Sequence, residues 1–132
     1  MTDSPFGQVK KAKPEIDFPG DTPPTELVLE DLEVGTGTEA TAGRTVSAHY
    51  VGVAWSTGEE FDASWNRGQP LDFTVGIGQV IEGWDKGLLG MKVGGRRRLE
   101  IPADQAYGSR GAGGVIGPDE ALIFVVDLLD VR

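Results

Sequence analysis

Glycine is the feature that most limits what this chain can fold into. The sequence has 132 residues and contains 20 glycines, with no collagen-like period, whereas the usual share of glycine is ~7%. Glycine weakens helices and strands because it loses the most conformational freedom on folding, but it suits turns and close backbone approaches. The sequence therefore predicts short elements joined by many turns, in one domain with a single core.

The apolar residues between these glycines fall into short runs that favour strands. In the clearest run, Val46, Ala48 and Tyr50 alternate with Ser47 and His49. Because side chains alternate along a strand, the two sets are expected on opposite faces of a sheet. The predicted strands cover residues 27–29, 32–34, 45–55, 60–63, 71–75, 96–101 and 121–131.

Only one segment, within residues 79–91, has the period of a helix. Its apolar residues recur at intervals of four, four and three, at Val80, Trp84, Leu88 and Met91. Three glycines in the same segment make the helix weak by itself, since each costs about 1 kcal/mol relative to alanine. A sheet packed on its apolar face would supply the missing stability, and the glycines would let strands approach closely. We therefore expect an α+β domain in which an antiparallel sheet cups one short helix.

The first 25 residues differ from the rest of the chain. Five of the eight prolines lie within the first 24 residues, among few bulky apolar residues. This composition is typical of an extended or flexible arm. Residues 1–25 are therefore predicted to be a proline-containing arm and residues 26–132 the folded domain. Within the arm, Phe18 and Pro19 form an apolar-proline pair that could visit the pocket of this chain or of a neighbour.

Charge and composition argue against several classes of function. The net charge is −9, and an acidic surface repels phosphate backbones and anionic membranes, so we expect no nucleic acid and no membrane as partner. The chain has no cysteine and one histidine, which excludes disulfides and gives no basis for a metal site. No segment has the apolar core of a secretory signal or the ~20 apolar residues of a membrane span, so a cytoplasmic protein is expected.

Three local patterns suggest functions that their context does not support. Gly76 and Gly78 follow a predicted strand as in a dinucleotide-binding turn, but Ile81 stands where the third glycine belongs and no βαβ unit follows. His49 is predicted to be structural, because its strand neighbours are apolar and no G-x-S-x-G motif supplies a nucleophile. The arginines at 96–98 are expected to form a solvated strand end, with the stem of the middle one buried and its guanidinium free.

The remaining candidates are aromatic and branched residues, each of which is by itself typical of a core. Aromatic residues make up only 8% of the chain, so most of them are expected inside. Several stand in unusual settings, such as Tyr50 before Val-Gly and Tyr107 between alanine and glycine. We take the following set as the candidate lining of one apolar pocket: Tyr50, Phe61, Phe73, Val80, Ile81, Trp84, Tyr107, Ile116 and Phe124.

The order and spacing of five motifs resemble the FKBP-type peptidyl-prolyl cis/trans isomerases, also called macrolide-binding immunophilins. The motifs are HYVG, EEFDASWNRG, PLDFTVGIGQVIEGWDKGLLGMKVGGRRRLEIP, AYGSRGAGG and LIFVVDLL, within residues 26–132. The early segment from Lys13 to Pro19 is most similar to actinobacterial single-domain members. The resemblance implies a twisted antiparallel sheet of five to six strands wrapped around one short α-helix, in agreement with the residue patterns.

The resemblance also implies roles for individual residues. Trp84 resembles the residue whose indole forms the pocket floor, and the Ile81 N–H and the Tyr107 hydroxyl would hold substrate carbonyls. Asp62 resembles a carboxylate at the pocket edge that pairs with a basic residue five positions on, here Arg67. The implied catalytic residues are Tyr50, Asp62, Ile81, Trp84, Tyr107 and Phe124. The implied substrate-binding residues are Phe61, Arg67, Leu71, Phe73, Val80, Val115 and Ile116, the last two on a flap.

Three positions depart from the family pattern. Leu71 stands where an aromatic residue is common, Gly117 where a proline often precedes Pro118, and Ala112 replaces a ring often found in the flap loop. These changes are expected to reduce the pocket area and to leave the flap less rigid than the family pattern would.

The function implied by the resemblance is the acceleration of X-Pro bond rotation in protein folding, with an apolar residue preferred before proline. Rotation breaks no bond, so no cofactor or metal is expected. The expected partners are proline-containing peptides, unfolded proteins and macrolides of the FK506 and rapamycin type, bound by a monomer. The alternative is a non-catalytic module that uses the same pocket to bind proline peptides or a partner protein.

Overall fold

Six strands form one antiparallel sheet in the computed structural model, which describes residues 12–16, 22–112 and 115–132. The strands are β1 Val28–Glu33, β2 Thr45–Ala54, β3 Glu60–Ala63, β4 Leu71–Thr74, β5 Arg96–Ile101 and β6 Leu122–Val131. Their order in the sheet is β1-β5-β6-β2-β3, and β4 also pairs with β2. The predicted α+β class and strand number are confirmed. Phe18 and Pro19, the predicted apolar-proline pair of the arm, lie outside the described residues.

The strand prediction was wrong at the start of the domain. Residues 27–29 and 32–34 were expected as two runs, but they belong to the single strand β1, which pairs with β5. The register of this pair shifts between Asp31 and Glu33. This irregularity and the exposure of every residue of the strand interrupt the alternation on which a sequence pattern depends.

The predicted alternation along β2 is confirmed and divides the sheet into two faces. Val46, Ala48 and Tyr50 belong to the main core, together with inward-facing residues of β6 such as Phe124 and Val126. The opposite side of the sheet, which we call the outer face, carries two smaller apolar clusters. These clusters contain Val51, Val53 and Ala63, with Trp65 packed against them, and Trp55, Ala121 and Ile123.

The helix α2, Glu82–Gly87, packs its apolar side against the main core. A Cβ atom added to Gly83 would lie 2.6 Å from Ile101, and one added to Gly87 would lie 2.6 Å from Leu99. Both distances are shorter than side chains tolerate, so these glycines allow β5 to lie directly against the helix. The expected close approach is therefore confirmed.

The helix is shorter than the predicted 79–91, and a second one was missed. Residues 79 and 80 form bends before α2, and Gly90 has a φ of 87° just after it, a value that ends a helix. The missed helix is α1, Ser64–Arg67, a single turn that ends at Gly68 with a φ of 69°. Four residues are too few for a 3.6-residue period to be visible in a sequence. Short 3₁₀ turns cover Ala103–Gln105 and Gly108–Arg110.

The prediction that the arginines at 96–98 form a solvated strand end is wrong. Arg96 binds Asp127 of β6 through two hydrogen bonds of 2.7 and 3.0 Å, and this carboxylate is only 1% exposed. The Arg97 guanidinium, expected to be free, binds Asp31 at 2.7 Å and donates to the carbonyl of Gly87 at 2.8 Å, while Arg98 pairs with Glu100. Arg96 and Arg97 find their carboxylates on the neighbouring strands β6 and β1, Arg97 also binds a carbonyl at the end of α2, and Arg98 pairs within its own strand.

His49 lies on the outer face, where its ring stacks on Trp65 with centroids 4.3 Å apart. Its Nδ1 atom is 2.8 Å from the Ser64 hydroxyl, which also accepts the Tyr50 N–H at 2.7 Å. Burial lowers the pKa of His49 below its ordinary value, and the nearby charge of Asp127 opposes this shift. The position supports the structural role expected for this residue.

The lowered pKa of His49 predicts a loss of stability on acidification. The folded state binds the proton more weakly than the unfolded chain, so the neutral ring stabilises the fold above its ordinary pKa of 6.5. This stability is lost as the pH falls through 6.5 toward the folded-state pKa. The variant His49→Gln should therefore lose less stability than the wild type between about pH 7.5 and pH 5.5, measured by urea unfolding.

The chain offers a clean comparison, because His49 is its only histidine. The pKa values of Asp62 and Glu60 lie below their ordinary 3.8 and 4.5, so these carboxylates titrate outside that interval. Equal changes of the unfolding free energy in wild type and variant would contradict the assignment.

None of the helices in the described ranges is long and apolar enough to cross a membrane.

Candidate active site

A cavity of about 410 Å³ lies between α2, the sheet and the loop that carries Tyr107. It brings together residues that are far apart in the sequence, from β2 to β6. The lining residues are Tyr50, Phe61, Asp62, Leu71, Gly78, Gln79, Val80, Ile81, Trp84, Tyr107 and Phe124. Aromatic residues that are distant from one another in the sequence therefore meet at one site.

Trp84, the residue predicted to form the floor, lines this cavity and is only 4% exposed. Its ring meets Tyr50 and Phe124 edge-on, at centroid distances of 5.1 and 5.2 Å, and Phe73 at 5.5 Å in a tilted arrangement. These edge-to-face contacts fix the orientation of the indole. Its buried Nε1–H has no hydrogen-bond partner in the described part of the chain. The floor therefore presents a rigid aromatic surface.

A polar cluster closes one edge of the cavity. The Tyr50 hydroxyl donates to Asp62 Oδ2 at 2.5 Å, and Arg67 donates to Asp62 Oδ1 and to the Tyr50 hydroxyl, both at 2.7 Å. The predicted pairing of Asp62 with Arg67, five positions on, is thus present in the structure. Two strands and α1 supply the three side chains, and together they form a closed triangle of hydrogen bonds.

The pKa values in this cluster indicate fixed protonation states. Burial raises the pKa of the Tyr50 hydroxyl, and its hydrogen bond to Asp62 acts in the same direction. For Asp62, burial favours a higher pKa, but the hydrogen bonds from Tyr50 and Arg67 prevail and lower it. At neutral pH the carboxylate is therefore ionised and the phenol protonated. Such a pair orients a wall and supplies an electrostatic field, but it is poorly suited to exchange protons with a substrate.

Comparison with known proteins shows the family of this chain. The family described as FKBP-type peptidyl-prolyl cis-trans isomerase matches residues 36–129, more than half of the chain. The chain belongs to this family. Proteins named FK506-binding protein are similar over most of their length: one from Streptomyces anulatus is 67% identical over 90% of this chain and 97% of its own, and one from Neisseria meningitidis serogroup A is 54% identical over 80% and 95%.

Solved structures of similar proteins agree with the fold. The crystal structure of AtFKBP13 matches with a TM-score of 0.75 and 41% identity, over 83% of this chain and 96% of the other. The crystal structure of FkpA from Escherichia coli matches with a TM-score of 0.73 and 42% identity, over 80% of this chain and 48% of the other. The FKBP-type domain and these relatives identify the chain as a peptidyl-prolyl cis-trans isomerase.

In this FKBP-type isomerase, four of the residues predicted for the site lie outside the cavity lining. Phe73 is buried in a tilted contact with the Trp84 ring, and Ile116 is only 5% exposed within the core. Val115 is 65% exposed, and Arg67 contacts the lining only through Tyr50 and Asp62. The predicted roles of these residues in substrate binding stay predictions.

Two backbone hydrogen bonds join the two sides of the flap predicted around residues 115 and 116. The Ala112 N–H donates to the Ile116 carbonyl at 2.9 Å, and the Ile116 N–H donates to the Ala112 carbonyl at 3.0 Å. A Cβ atom at Gly111, which has a φ of 66°, would collide with the Ile116 carbonyl. Glycine at this position lets the two sides of the flap approach.

Sequence reasoning missed two lining residues, Gly78 and Gln79. Both belong to the turn that resembles a dinucleotide-binding loop, and the structure explains that resemblance differently. The Asp85 carboxylate of α2 accepts the Gly76 and Gly78 N–H groups at 2.8 and 2.7 Å, while Gln79 Oε1 accepts the Thr74 N–H. The N–H groups that a phosphate would need are occupied by Asp85. Gly76 and Gly78 have positive φ angles of 86° and 85°. The two glycines themselves were the only signal of this turn in the sequence.

Gly52 is a second residue whose role the sequence did not reveal. A Cβ atom at this position would lie 2.6 Å from the Phe61 ring and 2.7 Å from the Phe124 ring. The two rings meet edge-on at 5.6 Å over this glycine. The absence of a side chain at position 52 therefore leaves room for the Phe61 and Phe124 rings, which line the cavity.

Two hydrogen-bond donors at the cavity have no acceptor among the described residues. Ile81 stands at the N-terminal end of α2, and its N–H has no partner there, although its carbonyl accepts the Trp84 N–H at 2.9 Å. The Tyr107 hydroxyl, on the loop opposite, forms no hydrogen bond with a described residue, and burial raises the pKa of this group. Both residues line the cavity, and an N–H and a hydroxyl without an acceptor can bind carbonyl oxygens.

Across the described ranges, no three His, Cys, Asp or Glu side chains are grouped so that they could hold a metal ion.

Proposed function

We propose that the cavity isomerises X-Pro bonds by receiving the proline ring on the Trp84 floor. The observation that carries this proposal is the buried indole, held by three edge-on or tilted rings at the base of an apolar cavity. A pyrrolidine ring is compact and apolar, so its burial against such an aromatic surface is favourable. Anchoring the ring leaves the residue before proline free to turn about the C–N bond.

The chemistry needed is the loss of amide resonance. Rotation about the peptide bond has a barrier of about 18–20 kcal/mol, because the twisted amide loses its partial double bond. The planar amide carries a larger dipole than the twisted one, so removal from water costs the planar state more free energy. An apolar cavity thus favours the twisted amide. An acceleration of ~10⁵-fold corresponds to about 7 kcal/mol of such preferential stabilisation.

The two unpaired donors suit the carbonyl groups on either side of the rotating bond. The Ile81 N–H and the Tyr107 hydroxyl would each bind a substrate carbonyl and fix the chain against which the amide turns. Asp62 acts through its negative charge and by holding Tyr50 in the wall, since its pKa is lowered and its oxygens are already hydrogen-bonded. No proton transfer is needed for the reaction.

Macrolides of the FK506 and rapamycin type are proposed as ligands of the same cavity. The relatives named FK506-binding protein share up to 67% identity with this chain among those compared, and the aromatic lining suits a large apolar ring. Leu71 lines the cavity and is 36% exposed, so one wall is aliphatic where an aromatic residue is common. The natural substrates are proposed to be unfolded chains with an apolar residue before proline. The monomeric state and the cytoplasmic location stay predictions.

The test is a magnetisation-exchange measurement on a peptide such as Ala-Leu-Pro-Phe. Micromolar protein is expected to accelerate cis/trans exchange well above the uncatalysed rate, which has a time constant of tens to hundreds of seconds. One equivalent of FK506 should suppress the acceleration. Absence of any acceleration would contradict isomerisation by this cavity. If the acceleration persists at saturating FK506, the proposal of macrolide binding fails, whereas the proposal of isomerisation stands.

A further inference from the structure

The N-terminal segment of residues 12–16, here called the strap, lies across the outer face of the sheet, on the side opposite the cavity. Ile16 is partly buried and packs against both apolar clusters of this face. At the other end of the strap, the Ala12 carbonyl accepts a hydrogen bond of 2.7 Å from Arg96. Pro14 restricts the backbone of Lys13 to extended conformations, which lowers the entropic cost of seating the strap.

Lys13 attaches the strap to the segment formed by β3 and α1. Its Nζ lies 3.0 Å from Glu60 Oε1 and donates to Asn66 Oδ1 at 2.9 Å, while the Asn66 amide donates to Glu60 Oε2 at 3.0 Å. Glu60 begins β3 and Asn66 belongs to α1. Lys13 therefore links Glu60 and Asn66, which lie near the two ends of one continuous segment.

This segment contributes two residues to the cavity lining and one that is hydrogen-bonded to it. Phe61 and Asp62 follow Glu60 directly, and Arg67 follows Asn66. Arg67 and Asp62 form the hydrogen-bonded triangle with the Tyr50 hydroxyl at the cavity edge. A shift of α1 along the outer face would move the Arg67 guanidinium, and with it both of its partners.

We propose that Lys13 and Ile16 are positioning residues that hold the cavity edge from the outer face of the sheet. Lys13 fixes the ends of the β3–α1 segment, and Ile16 seats the strap against the apolar cluster on which Trp65 of α1 also packs. Through Arg67, this docking sets the geometry of the Tyr50–Asp62 pair. The effect on catalysis rests on the proposed function of the cavity, whereas the effect on the Tyr50 hydroxyl does not.

The strap is tested first without any measurement of activity. The chain has two tyrosines, so labelling with [¹³Cζ]tyrosine gives two resonances that report on the hydroxyl hydrogen bonds of Tyr50 and Tyr107. The variants Lys13→Met and Ile16→Ala are expected to shift the Tyr50 resonance and leave that of Tyr107 in place. Lys92→Met and Val34→Ala are the matched controls: both positions are exposed, and both variants should leave the two resonances unchanged.

Activity gives the second readout. Lys13→Met is expected to lower kcat/KM for proline exchange by about two- to fivefold, since an exposed ion pair contributes little. In an Arg67→Met background the same substitution should cost almost nothing, because Lys13 acts through Arg67. Strap variants that unfold more easily but keep the wild-type Tyr50 resonance and kcat/KM would overturn the proposal. If the wild type itself fails to accelerate exchange, the proposed function fails, and the Tyr50 resonance still decides the role of the strap.

Discussion

Trp84→Ala is expected to remove nearly all isomerase activity and to cost about 3–5 kcal/mol of unfolding free energy, the usual loss for a buried aromatic side chain. The indole is 4% exposed and supports Tyr50, Phe73 and Phe124, so its removal leaves a void where the proline ring is proposed to bind. We expect kcat/KM to fall by at least about 100-fold, equivalent to about 2.7 kcal/mol. Magnetisation exchange measures the activity, and urea unfolding measures the stability.

Trp55→Ala provides a matched control for this prediction. Trp55 is also buried, at 6% exposure, but it belongs to an apolar cluster on the outer face of the sheet. Its replacement should cost a comparable unfolding free energy and keep kcat/KM within about fivefold of the wild type. Equal losses of kcat/KM in the two variants would mean that destabilisation, and not the floor of the cavity, explains the loss.

Much of the fold was predictable because it depends on local patterns. The alternation in β2 separates Tyr50 from His49 correctly, since one face of the sheet meets the main core and the other the outer clusters. The glycines of α2 predicted a close approach of a strand, and Gly83 and Gly87 do lie against β5. A period of two and a period of 3.6 residues are the signals that a single sequence carries most directly.

What the sequence did not predict depends on partners that are distant along the chain. The turn at Gly76 and Gly78, which precedes α2, is held by Asp85, whose carboxylate accepts its N–H groups, and no local pattern indicates that contact. Gly52 is required by the Phe61 and Phe124 rings, which come from two other strands. Seven of the nine candidate residues line the cavity; their convergence on one site was implied by the family resemblance, since spacing alone does not bring distant residues together.

The arginines at 96–98 illustrate the same limit and lead to a second large effect. Charge and exposure statistics favour a solvated strand end for such a run. The sheet instead places Asp127 opposite Arg96 in the β5–β6 pairing, where the carboxylate is 1% and the arginine 17% exposed. A partner supplied from 31 positions along the chain leaves no trace in the local sequence.

Arg96→Met is expected to destabilise the protein by about 3–5 kcal/mol, because it leaves the buried Asp127 carboxylate without its partner. Both carboxylate oxygens bind the guanidinium, at 2.7 and 3.0 Å. Urea unfolding at neutral pH measures the loss. The double variant Arg96→Met/Asp127→Leu should recover a large part of the lost stability, since it removes the uncompensated charge together with its partner.

Arg132→Met is the control for a solvent-exposed pair. Arg132 binds Asp130 at 2.8 Å, but both side chains are 52% exposed, and pairs of this kind contribute at most about 1 kcal/mol. Its replacement should therefore shift the urea midpoint only slightly. If Arg96→Met and Arg132→Met cost the same, burial of Asp127 does not govern the strength of its pair. If the double variant is no more stable than Arg96→Met alone, the lost unfolding free energy comes from other contacts of Arg96. These include its hydrogen bond to the Ala12 carbonyl of the strap.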